Sequence, residues 1–214
     1  LTLLSPEERN PLETSTYGTG QLIADALNKG CRKFLIGIGG SATNDAGMGM
    51  LQALGYRFTD AQGNVLCGCG ESLEKVASID ASSASPALME SEFIVACDVK
   101  APLYGPDGAA HVFAPQKGAD KAMVEALDEG LRHFSSVCAE SMGYDCSTLE
   151  GSGAAGGLGY AFRQFLGARL ERGVEMVLDA IHFDDMIAGA DLVITGEGRV
   201  DSQTLTGKTP FGVA

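Results

Sequence analysis

Between Tyr17 and Leu54 the chain reads as helix, strand, glycine loop, helix, and no other feature narrows the fold as much. Leu22, Ile23, Ala26 and Leu27 fall on one helical face from Tyr17 onward, and Gly30 suits a helix stop. Lys33 to Ile38 carries the apolar run Phe34-Leu35-Ile36, too short for a helix and continuous enough for a buried strand. A Gly39-Gly40-Ser41 turn follows, and a second helix is predicted from about Asn44 to Leu54. A strand that exits through a tight loop into a helix is the wiring of a parallel α/β unit.

The rest of the chain extends that pattern. Tyr56 to Leu66 reads as a β-hairpin around Asp60-Ala61-Gln62-Gly63, and Asp80 to Pro86 as a surface loop. Phe93 to Cys97 is a second buried strand, ending at Asp98, and a Gly/Pro-rich stretch runs from Ala101 to Gly118. Ala119 to Met142 is an amphipathic helix with Val124, Leu127, Leu131, Phe134 and Val137 in its core stripe. A glycine cluster, Gly151 to Gly159, opens a helix to Leu166, and Val174 to Ala188 reads as another. Leu192-Val193-Ile194-Thr195 is a third predicted strand. The fold class expected is α/β, with a mixed or mostly parallel sheet and flanking helices. A length of 214 residues accommodates one large domain or two small ones.

Charge limits the partners. A formal net charge of -13 repels nucleic acid and anionic lipid, so neither is expected as a partner. Phosphate chemistry in such a chain needs local Lys, Arg, Mg²⁺ or helix N-termini. Six cysteines are present, and only Cys67 and Cys69 are close; that spacing is not a zinc pattern, and reduced thiols in a cytoplasmic protein are expected. No apolar run is long enough to span a bilayer, no signal peptide opens the chain, and both ends read as cut from something longer.

Three predicted strands end in polar loops, and in open α/β sheets ligands sit beyond the carboxyl ends of strands. In the first, Gly39 and Gly40 let the backbone approach an anion, and Ser41 and Thr43 add hydroxyl donors before a helix N-terminus. The loop fits neither a Walker A pattern nor a dinucleotide fingerprint. A tight strand–helix turn capped by Asn44 or Asp45 accounts for the same residues. In the second, Asp98 is a candidate base or Mg²⁺ ligand; in the third, Asp201 is the same. A cap or turn aspartate is the structural alternative for each. Arg199 and Lys208 flank Asp201, and Glu197 precedes them, in the densest polar stretch of the chain. That pairing of Arg and Lys suits a carboxylate or phosphate. Lys117, beside the start of a helix, either reaches a phosphate or lies on the surface. His111, His133 and His182 stand apart from any nucleophile and read as structural.

Taken together, these stretches resemble the bacterial-type glycerate kinase family. The resemblance rests on Thr16 to Gly20, Gly37 to Gly55, Cys97-Asp98-Val99, Pro115 to Ala119, Gly151 to Gly159 and Gly196 to Gly207, in family order along almost the whole chain. It implies ATP and Mg²⁺ as cofactors, D-glycerate as acceptor, and 2-phosphoglycerate (or 3-phosphoglycerate) as product. It also implies two α/β domains, one flavodoxin-like and one inserted into it, with the active site between them. On that basis 1–36 would border the flavodoxin-like domain, 37–200 would form the inserted domain and 201–214 would return to the first. The segments that open and close family members have no counterpart here, including an Asp-Ser-Phe-Lys-Gly motif, so a folded but inactive polypeptide is one expectation. Asp45, Asp98, Glu197, Arg199 and Asp201 carry over as site residues. Small-molecule partners are implied, and a homodimer is compatible with the resemblance. The alternative is a non-catalytic module that binds a sugar acid or another anion.

Overall fold

The computed structural model describes residues 4–196 together with Gly212 and Val213. It contains a three-stranded sheet of β1 (Lys33–Gly37), β4 (Glu92–Ala96) and β5 (Arg169–Glu171), in the order β1-β4-β5 with both pairings parallel. A separate two-stranded antiparallel sheet joins β2 (Arg57–Thr59) to β3 (Ser78–Asp80). The α/β class with a mostly parallel sheet is therefore present. The third strand is β5, not the predicted Leu192–Thr195. That run has no strand pairing among the described residues, and Leu192 and Ile194 are 76% and 86% exposed. An apolar run becomes a buried strand only when neighbours accept its backbone hydrogen bonds and cover its faces.

Helices fill the connections. They are α1 (Tyr17–Asn28), α2 (Met48–Ala53), α3 (Ala109–Phe113), α4 (Lys121–Met142), α5 (Ala154–Leu166), α6 (Gly173–Ala180) and α7 (Phe183–Ile187). Asp120 caps α4 by accepting from the Met123 N–H at 2.9 Å, and Gly143 ends it at φ 78°. The predicted stripe of α4 is borne out at Val124, Leu127, Leu131 and Phe134, which are buried. Phe134 meets Phe58, Tyr160 and Phe165, while Phe34 stacks on Phe93 with centroids 4.8 Å apart across β1 and β4. Such aromatic pairs add to the burial of their large apolar surfaces.

Three predicted elements differ in extent. The helix expected from Asn44 begins only at Met48, because Asn44 to Gly47 form a buried turn with left-handed Ala46 and Gly47. The Tyr56–Leu66 hairpin is reduced to a bridge between Thr59 and Val65, closed by Leu66 N–H donating to Phe58 O; the strand's full partner is β3. The helix expected over Val174–Ala188 breaks at His182, whose φ of 53° interrupts the ladder between α6 and α7.

Candidate anion-binding cleft

Register places the strand ends together. Gly37 lies opposite Ala96, and Ala96 opposite Glu171, so β1, β4 and β5 finish on one edge of the sheet. Two of the three predicted polar strand ends, the Gly39 loop and Asp98, therefore leave neighbouring parallel strands on the same side. Beyond β1 opens a cleft of about 240 Å³. One wall is the loop from Gly37 to Thr43, including Gly39, Ser41 and Thr43; the other is Ser15, Thr16 and Thr19 at the start of α1. Leu158 of α5 supplies an apolar contact. A helix N-terminus, hydroxyl donors and glycine backbone facing one space form a setting for an anion.

The polar groups beneath this cleft are buried and specifically bonded. Asp45 is fully buried. Its Oδ2 accepts from Thr16 N–H at 2.8 Å, Thr16 Oγ1 at 2.7 Å and Gly49 N–H at 3.2 Å, and its Oδ1 from Gly47 N–H at 3.1 Å. Thr16 Oγ1 in turn accepts from Met50 N–H at 2.9 Å. The carboxylate thus ties the start of α1 to the start of α2. Burial pushes the Asp45 pKa above its ordinary value, and the four donors offset part of that rise.

Lys117, expected on the surface or on a phosphate, is 2% exposed and donates from Nζ to the Thr43 carbonyl at 2.7 Å. Burial lowers its pKa to about 8, against the opposing pull of the Asp45 charge. An unfolded lysine titrates near 10.4. Between those values the unfolded chain binds more protons, so this contribution raises stability as pH climbs from about 8 toward 10.5 and is flat below. The stability of wild type relative to Lys117→Met should therefore grow by about 3 kcal/mol across that window. Urea titrations of both proteins at pH 7 and pH 10, under reductant, measure this difference, and a constant difference would contradict it.

Asn44 is fully buried, and neither polar atom of its side chain has a hydrogen-bond partner. A buried unpaired amide is costly. Asn44→Leu should raise unfolding stability by about 1 kcal/mol; a loss of stability would show that the amide is satisfied after all.

The remaining predicted site residues divide by position. Gly39, Gly40 and Asp98 are exposed, and Ser41 and Thr43 half-buried. Asp98 Oδ1 accepts from Gly173 N–H at 3.1 Å at the start of α6, leaving its second oxygen at the sheet edge. Glu197, Arg199, Asp201 and Lys208 lie outside the described residues. Among the described residues no group of three or more His, Cys, Asp and Glu is placed to hold a metal, and no helix is long and apolar enough to cross a membrane. All six cysteines are free thiols, and His133 is bonded to the Val76 carbonyl at 2.8 Å, in keeping with a structural role. Sequence reasoning missed Ser15, Thr16 and Thr19. Their signal was present, since hydroxyl residues directly before and within a first helical turn are cap and anion-site chemistry.

A family model described as the glycerate kinase family matches residues 1–214. A glycerate kinase of Halalkalibacterium halodurans is 50% identical over 214 residues, all of this chain and 56% of that protein. A glycerate 2-kinase of Escherichia coli K12 is 48% identical over the same span, again 56% of its length. The crystal structure of a Salmonella typhimurium LT2 protein, provisionally described as glycerate kinase 2, superposes with a TM-score of 0.93 at 52% identity, covering all of this chain and 57% of that one. The chain thus spans about half the length of the curated relatives it matches.

Proposed function

The chain belongs to the glycerate kinase family, and from that premise we propose that it forms part of an ATP-dependent kinase acting on D-glycerate. The observation that carries this reading is the cleft at the sheet's carboxyl edge, where the Gly37–Thr43 loop faces the N-terminus of α1. Both substrates are anions, and the chain is strongly acidic. Binding therefore depends on local donors: the Gly39 and Gly40 backbone, the Ser41 and Thr43 hydroxyls, and the positive end of α1.

In the proposed reaction a glycerate hydroxyl oxygen bonds to the γ-phosphorus of ATP as the bond to the ADP oxygen breaks, and the hydroxyl proton passes to a carboxylate. Attack by the 2-hydroxyl gives 2-phosphoglycerate. Asp98 and Asp201 are the proposed carboxylates. Glu197 belongs to the same polar stretch, and Arg199 and Lys208 would clamp the substrate carboxylate or the transferring phosphate. Mg²⁺ takes one or two carboxylates, with phosphate oxygens and water completing its shell. Asp98 fits that demand, because its second oxygen stays at the sheet edge. The bound cation would neutralise charge on the phosphates.

Calorimetry on the complete protein carrying this sequence tests the reading. Glycerate binding that strengthens or turns into heat of reaction on adding MgATP supports a kinase. Glycerate binding indifferent to MgATP, without turnover, would favour a non-catalytic sugar-acid module.

A further inference from the structure

The cleft has two walls, and each is held from below by a buried charge. Thr43, on the loop wall, receives its carbonyl's hydrogen bond from Lys117 at 2.7 Å. Thr16, on the helix wall, is held through both its N–H and its hydroxyl by Asp45. Lys117 and Asp45 are 2% and 0% exposed, and neither lines the cleft. They are not bonded to each other, yet the Asp45 charge acts on Lys117 through the interior. A buried lysine is expensive unless its charge is used. Here its amine reaches from the segment before α4 to a loop 74 residues earlier in the chain.

We propose that Lys117 and Asp45 are a pair of positioning residues that fix the spacing of the cleft walls for the anion, without touching it. The proposal rests on the reading of the cleft as the kinase's anion site. It separates these two residues from groups that meet the substrate: Asp45, which takes up both Thr16 donors, sets where the start of α1 and Thr19 sit, and Lys117 sets where the Ser41–Thr43 donors sit. Loss of either charge lets one wall drift while the reacting groups elsewhere stay in place. The effect should therefore fall on binding more than on chemistry.

The test is steady-state kinetics on the complete protein, comparing wild type, Lys117→Met and Lys117→Arg, with folding checked by circular dichroism. Lys117→Met should raise KM for one substrate, glycerate or MgATP, by about tenfold or more while kcat stays within about threefold. Lys117→Arg, which keeps the charge and the donor, should recover at least part of that loss. A merely structural lysine would lower the melting temperature and leave KM in place. If Lys117→Met does not fold, Lys117→Gln, which keeps a donor without the charge, is read in the same way. An unmoved KM in a folded, active variant overturns the positioning role and leaves the kinase reading intact. Silence of the wild-type protein overturns both.

Discussion

Gly156→Ala should cost about 4 kcal/mol of unfolding stability, enough to abolish a cooperative transition in a marginal domain. Gly156 has φ 71°, a conformation that side chains rarely adopt. An added Cβ would land on the Thr43 carbonyl oxygen and within 2.7 Å of Asn44 Cα. Both obstacles are backbone, so no side chain can swing aside. The same residue's carbonyl accepts from Ala46 N–H at 3.0 Å, so the left-handed segment Ala155-Gly156-Gly157 at the start of α5 is locked against the buried turn under the cleft. Gly63→Ala is the control. Gly63 has φ 84° but open space around it, so its substitution carries only the backbone strain of about 1 kcal/mol. Urea unfolding of both variants measures the gap between them. Equal losses would mean that the close approach of α5 to the loop contributes nothing.

Asp45→Ala is the second large effect, with an expected loss of about 3–5 kcal/mol. It strands Thr16 N–H, Thr16 Oγ1, Gly47 N–H and Gly49 N–H, four buried donors that lose their shared acceptor. Asp98→Ala removes an exposed carboxylate bonded, among the described residues, to the Gly173 N–H, and should cost under about 1 kcal/mol. Chemical denaturation at neutral pH ranks the two. A small loss at Asp45 would mean that the starts of α1 and α2 do not depend on its carboxylate.

Much of the fold was legible because it depends on local pattern. The helix stripe of α4, the β1 and β4 strands and the loop between β1 and α2 follow from apolar spacing, from short apolar runs and from glycine. What was not legible depends on contacts between distant segments. Arg169–Glu171 becomes a strand only by pairing with β4, and its charged ends give no apolar run to read. Leu192–Thr195 has such a run but no neighbour among the described residues. The site shows the same division. Glycine and hydroxyl residues marked the loop wall, while Ser15, Thr16 and Thr19 of the α1 wall were not singled out as site residues. Lys117 looked ordinary beside its helix, since nothing in its neighbourhood reveals a carbonyl partner at Thr43. Asp45 was read as a possible cap of the turn into α2, and its bonds to Gly47 N–H and Gly49 N–H are local, but its two donors from Thr16 lie 29 residues away and meet it only in the folded chain.

The most direct test of the central claim is to incubate the complete protein carrying this sequence with D-glycerate and MgATP and follow the reaction by phosphorus NMR. A new phosphate-ester resonance, growing as ATP becomes ADP, is the predicted result, and its coupling to carbon-bound hydrogen identifies the hydroxyl that was phosphorylated. ATP left intact, or hydrolysed to inorganic phosphate with no ester formed, would contradict the assignment of the cleft to glycerate phosphorylation.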